Sequence, residues 1–212
     1  DQRTPIPFAN WAGTVHHGMR ADLYKPNYEP GRYLAFLGRI SPEKRPDRAI
    51  AIAKRMGIPL KIAAKVDAAD TRYFQEKIEP LILGQDLIEF VGEIGDEAKS
   101  GFLGGAQALL FPIDWPEPFG LVMIEAMACG TPVVAYGCGS VPEVIEDGVT
   151  GFIVSNEDEA VAAVARTASL NRRDVRRRFD ERFSATAMAR RYLDLYANHG
   201  VTRPDIALVA NG

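Results

Sequence analysis

Short apolar runs and stretches with a helical period alternate along most of this chain. Residues 33–37 form an apolar run closed by Gly38, the pattern of a strand buried on both faces. Residues 46–56 read as a helix, with Pro46 in its first turn and Gly57 just past its end. The alternation then repeats as strand 60–64 and helix 71–78, strand 87–91 and helix 97–103, and strand 108–111 and helix 121–128. It closes with strand 132–135, a short helix at 141–145 and strand 151–154. Strands alternating with helices predict an α/β domain: one doubly wound parallel sheet of about six strands. Such sheets bind ligands at the carboxyl ends of their strands, so the loops that follow each strand are the places to look for chemistry.

The two ends break the pattern. Residues 1–30 carry four prolines and no sustained period, which predicts a connector with one short strand around residues 13–16. Residues 157–199 hold helical patterns only, so extra C-terminal helices follow the sheet. They include a basic stretch at 172–178, expected as a solvated helix face, and a final amphipathic helix over about 185–197. Residues 200–212 read as a loose tail. The start, Asp1-Gln2-Arg3-Thr4-Pro5, has neither an initiator methionine nor a signal-peptide pattern, which predicts a chain cut from something longer.

Composition narrows this picture modestly. With 212 residues, 47% of them hydrophobic and 25% charged, the chain has the balance of a soluble globular domain plus appendages. A net charge of -3 argues against nucleic acid or an anionic membrane as the main partner, so an anionic ligand needs a local positive cluster. No apolar run reaches the length of a membrane span, which argues against an integral membrane protein and leaves peripheral association open. The two cysteines, Cys129 and Cys138, have no disulfide or metal-ligand spacing and read as free thiols in a reducing, cytoplasmic setting. The adjacent histidines His16 and His17 would point to opposite sides of an extended segment and make a poor chelate, so they read as structural, and no metal site is expected.

Two loops hold the candidate chemistry. After the first strand, Gly38-Arg39-Ile40-Ser41-Pro42-Glu43-Lys44-Arg45-Pro46 leads into a helix N-terminus, a natural anion site. Arg39 can offer a bidentate fork to phosphate oxygens and Lys44 a point charge. After the fourth strand, a proline-stiffened loop carries Asp114, Trp115 and Glu117 and ends in Phe119, Gly120 and Leu121, which open the next helix. Glu117 can accept hydrogen bonds from hydroxyls, or serve secondarily as a helix cap. Glu125 lies among Val122, Met123, Ile124, Ala126 and Met127, where a carboxylate needs a partner. A diol such as a ribose would supply one, with two hydroxyls for its two oxygens.

The run Glu117-Pro-Phe-Gly-Leu-Val-Met-Ile-Glu125, continued by Ala-Met-Ala-Cys-Gly-Thr-Pro-Val-Val-Ala135, resembles the E-x(7)-E signature of group 1 (family 4) retaining glycosyltransferases of GT-B fold. Gly38-Arg39 with Glu43-Lys44 resembles that family's phosphate loop, and Phe90-Val91-Gly92 its third-strand end. Pro142-Glu143-Val144-Ile145 and Asp147-Gly148-Val149-Thr150-Gly151-Phe152 resemble its late segment, so the likeness covers about residues 14–199.

The resemblance implies a Rossmann-like C-terminal half of a GT-B fold, which binds the nucleotide-sugar donor. It implies a linker remnant at 1–30, the nucleotide-sugar domain at 31–180, a C-terminal helix at 181–199 that packs towards a missing N-terminal acceptor domain, and the tail at 200–212. Arg39 and Lys44 would hold the donor diphosphate beside Gly38, and Glu117 would bind the transferred sugar. Backbone N–H groups of Phe119, Gly120 and Leu121 would face sugar and phosphate. Glu125 would bind the ribose, and the backbone near Val91 would line the base. Catalysis would be metal-independent with no cofactor beyond the nucleoside-diphosphate sugar, and the chain alone would not transfer sugar. Two departures stand out: Arg45 occupies a position where the family usually has glycine, and Ala63-Ala64-Lys65-Val66-Asp67 replaces a glycine-rich turn. A non-catalytic nucleotide-binding or interaction module on the same fold, and a glycoside hydrolase with two carboxylates, are the competing readings.

Overall fold

The computed structural model describes residues 6–198; the tail expected at 200–212 and the first five residues lie outside them. Six parallel strands form one sheet: β1 (Tyr33–Arg39), β2 (Leu60–Lys65), β3 (Ile88–Gly92), β4 (Ala106–Phe111), β5 (Val133–Tyr136) and β6 (Gly151–Val154). Their spatial order is β3-β2-β1-β4-β5-β6, with parallel pairing throughout. The chain winds outward from β1 to β3, then restarts beside β1 with β4 and winds the other way. The winding reverses between β1 and β4, and there two loops diverge above the carboxyl edge of the sheet.

Helices cover both faces because both faces are apolar. On β1, Ala35 points into one buried cluster while Leu34 and Phe36 point into the other, the two-residue period of a strand. The first cluster is closed by α4 (Asp96–Gly104), α5 (Leu121–Ala128), α6 (Val141–Val144) and α8 (Arg172–Phe183). The second is closed by α1 (Pro46–Met56), by α7 (Glu157–Arg166) and by a helical stretch after β2. That stretch runs beyond the expected 71–78, through α2 (Thr71–Tyr73), a π-helical segment Phe74–Ile78 and α3 (Glu79–Ile82). Side chains such as Leu109, Ile62 and Phe179 are fully buried, and each contributes about 1.5–3 kcal/mol on leaving water.

The ends of the chain depart from expectation. Residues 13–16 form no strand; instead Met19 makes an isolated bridge to Ser184, between α8 and α9 (Ala185–Asn198). An isolated segment has no partner strand to pair with, so extended backbone alone does not make a ladder. The lead-in packs on the C-terminal helices: added side-chain atoms at Gly13 and Gly18 would strike Leu195 and Met188. The basic stretch is not one solvated face. Arg172 donates to the carbonyls of Asn27, Gly104 and Ala106 and to Thr131, and Arg176 to those of Ala21, Tyr24 and Ala128. These guanidinium forks satisfy carbonyls at loop and helix ends that no ladder reaches, and they staple residues 21–27 to the domain. Arg173 and Arg177 are the exposed members of the stretch.

Candidate functional site

Lys44 and Glu117 meet where the winding of the sheet reverses. Lys44 comes from the loop after β1 and Glu117 from the loop after β4, and the ammonium contacts Oε2 of the carboxylate directly. Both side chains are largely buried, at 20% and 10% exposure. Trp115 donates its indole N–H to the same Oε2 at 2.8 Å. The ammonium also lies 5.2 Å from the Trp115 ring centroid and 5.7 Å from that of Phe111, within cation–π range. Among the described residues, Oε1 of Glu117 accepts no hydrogen bond.

The two loops are also bolted together beside that pair. Asp114 N donates to the Glu43 carbonyl at 2.9 Å, and the Asp114 carboxylate takes bonds from Arg45 and Arg48. Arg45 has φ 51, the left-handed region that favours glycine. That backbone geometry accounts for glycine at this position in the resembled motif. Here the strain is offset by a bidentate pair with Asp47. Burial works to raise the Asp47 carboxyl, but the Arg45 hydrogen bonds and charge outweigh it and hold it below the usual carboxylate range. Arg45 is therefore a structural tie between the loops.

Glu125 sits one helix further in. Lys99 of α4 donates to its Oε1 at 2.9 Å, and the Tyr24 hydroxyl donates to the same oxygen at 3.3 Å. Its side chain is 13% exposed, so it is not a surface helix position. Burial disfavours the Lys99 charge, yet hydrogen bonds to Asp96 and Glu125 keep the ammonium above its ordinary value. Burial and the Glu125 charge also push the Tyr24 hydroxyl up, so it stays a donor. Oε2 of Glu125 accepts no hydrogen bond among the described residues. Glu125, Lys99, Gly38, Lys65 and Glu93 line a cleft of about 220 Å³ over the ends of β1 and β2.

Glu117 opens instead on a second cleft of about 410 Å³, with Trp11, His16, His17, Phe119 and Ser140 in its wall. His16 Nε2 lies 3.1 Å from Glu143 Oε2, and His17 packs edge-on against Phe119 with centroids 4.9 Å apart. The floor is fixed by backbone: Ser140 N donates to the Glu117 carbonyl, and a side chain at Gly139 would strike the Glu117 backbone. Gly120 caps α5 at φ 77, where Met123 and Phe111 leave no room for a Cβ. Glu117 itself is not the cap, because it lies outside the turn and faces Lys44. Among the described residues, the backbone N–H groups of Phe119, Gly120 and Leu121 at the start of α5 donate to no backbone acceptor.

Arg39 lies apart from that pair in its contacts. It is held by Glu43 at 2.6 Å, Asp70 at 3.7 Å and Asp67 at 3.8 Å, and is 48% exposed. The helix terminus after it is partly filled: Pro46 brings no N–H, and the N–H groups of Arg48 and Ala49 donate to the Arg45 carbonyl. Val91, at the end of β3, is exposed beside the left-handed Gly92. Lys65 pairs with Asp67. Cys129 is buried, with its thiol pushed up to about 12, and Cys138 is half-buried; both are free. Lys99 and Tyr24 were not legible as partners of Glu125. A lysine following the third strand was the available signal, because it lies in the first turns of a helix above the carboxyl edge. No helix of the described residues is long and apolar enough to cross a membrane.

Comparison with known proteins agrees with this fold. The family model for glycosyl transferases group 1 matches residues 24–185. The D-inositol 3-phosphate glycosyltransferase of Mycobacterium tuberculosis is 31% identical over 167 residues, which cover 68% of this chain and 33% of that protein. A crystal structure of AviGT4, a glycosyltransferase involved in avilamycin A biosynthesis, superposes with TM-score 0.78 at 27% identity, over 93% of this chain and 61% of the other. HepE of Anabaena, solved with UDP and glucose, superposes with TM-score 0.75 at 20% identity, over 88% of this chain and 57% of the other, and so shares the fold. The chain spans about a third of the length of the curated relatives it matches.

Proposed function

The chain belongs to the group 1 glycosyltransferases, and from that premise we propose that it is the donor-binding half of a retaining enzyme that transfers a sugar from a nucleoside diphosphate. The observation that carries this reading is the Lys44–Glu117 pair, which joins a cation and a hydroxyl-binding carboxylate where the winding of the sheet reverses. In the reaction, charge develops on the departing nucleoside diphosphate, and stabilising it is the main demand. Lys44 and Arg39 answer that demand, with the N–H groups at the start of α5 adding dipolar support. Oε1 of Glu117 accepts from hydroxyls of the transferred sugar. Oε2 of Glu125 accepts from the ribose diol in the smaller cleft, and the backbone at Val91 lines the base. The acceptor and sugar transfer itself belong to the whole protein, and this chain alone binds donor without turnover.

A thermal-shift series with UDP, GDP, ADP and their sugar conjugates tests the donor site. One diphosphate at a hundredfold excess over its Kd should raise Tm by roughly 5–10 °C. Glu125→Ala and Lys44→Met should remove most of that shift. A chain stabilised by none of these nucleotides is not a donor-binding half.

A further inference from the structure

Two contacts meet at Trp115: its N–H bonds Glu117 Oε2, and its ring lies under the Lys44 ammonium. The residue before it, Asp114, is fixed by Arg45, Arg48 and the Glu43 carbonyl, so the indole stands on a pinned loop. Resting on the donor-site reading above, we propose that Trp115 is a positioning residue that holds Glu117 in place while Lys44 turns to the donor diphosphate.

The argument is one of competing charges. Lys44 has three donor hydrogens and one charge, now directed at Glu117. A diphosphate carries more negative charge than one carboxylate and draws the ammonium towards itself. Glu117 is largely buried, and a buried carboxylate that loses its partner is costly and free to swing. The indole N–H remains. It is a donor only, so it keeps Oε2 occupied without competing for the protons of sugar hydroxyls. Oε1 is thereby held open towards the larger cleft. Trp115 thus acts on the sugar end of the donor, through Glu117, and not on the diphosphate end.

The substitution Trp115→Phe keeps a ring under Lys44 and removes the N–H. Calorimetric titration with UDP, GDP and ADP, and with UDP-glucose, GDP-glucose and ADP-glucose, reads the two ends of the donor separately. For the diphosphate that binds the wild-type chain, affinity should stay within about twofold. The affinity gained by attaching the sugar should fall about tenfold, as for loss of a hydrogen bond to a charged group. Equal weakening of diphosphate and conjugate would reduce Trp115 to packing, and no change in either would also overturn the role. If the wild-type chain binds no diphosphate, the donor site falls and the proposal falls with it. A second readout does not depend on altering Trp115. In the Trp11→Phe variant it is the one tryptophan left of the two in the sequence. Its emission should change on saturation with the diphosphate as Lys44 leaves the ring, and an unchanged spectrum would refute the exchange.

Discussion

Glu117 and Glu125 each have a lysine on one carboxylate oxygen, yet the two pairs are built differently. Lys44 and Glu117 both sit on loops, among aromatic rings and beside a cluster of further ion pairs. Lys99 and Glu125 both sit on helices, α4 and α5, that are packed against one buried cluster. In the first pair the loops are tied to each other by Asp114, and it is the lysine side chain that can change partner. In the second, the helices hold both groups at fixed separation, so the lysine serves to keep the carboxylate aimed. Similar chemistry thus has an exchangeable form at the proposed diphosphate and sugar end and a rigid form at the proposed ribose end.

The sharpest way to break that contrast is to remove each ammonium. Lys99→Met should cost about 3 kcal/mol of stability in urea unfolding, since it takes the cation from a largely buried carboxylate and leaves it only the longer bond from Tyr24 among the described residues. Lys44→Met should cost less, about 1–2 kcal/mol, because Trp115 still donates to the same oxygen of Glu117 at 2.8 Å. Equal losses would mean that the Trp115 bond does not compensate for the lost ammonium and would end the distinction.

A pH series separates the two regions by sign. Asp47, beneath the loop pair, has a depressed carboxyl, so its support is full above the usual aspartate value of about 3.9 and is lost as pH falls through the folded value. Lys99 has a raised ammonium, so its support is full below about pH 10.4 and is lost only as pH rises through the folded value. Tm followed from pH 2.5 to 6 should fall less steeply in Asp47→Asn than in the wild type. If Asp47→Asn leaves the acid slope intact, another carboxylate governs it.

The smallest expected effect is Arg45→Gly. Glycine relieves the left-handed backbone strain by about 1 kcal/mol but gives up the ties to Asp47 and Asp114. The two terms nearly cancel, so a thermal melt should move by less than about 3 °C. A larger loss would show that the ion pairs, not the backbone, set this loop.

The elements themselves were largely legible, because each rests on local pattern. The helices Pro46–Met56 and Leu121–Ala128 and the strand Gly151–Val154 lie where period, Pro46 and the apolar runs put them. What failed was contact-dependent. Residues 13–16 read as a strand, but no neighbouring strand is there to pair with. The arginines of α8 read as solvated because charge in sequence carries no information on the open carbonyls that Arg172 and Arg176 reach.

By itself the sequence determined a doubly wound parallel sheet, the two chemistry-bearing loops and the two glutamates, since hydrophobic period and residue type act over a few positions. Only the tertiary structure decided which cation faces which carboxylate. Lys44 is 73 residues from Glu117, and Lys99 is 26 from Glu125. Their pairing follows from the order β3-β2-β1-β4, which sets the loops after β1 and β4 side by side, and from the packing of α4 on α5. Arg39, read as a second cation beside Lys44, contacts Glu43, Asp67 and Asp70, because the end of its strand faces the loop after β2. A charge finds its partner through space, and spatial proximity is a property of the fold.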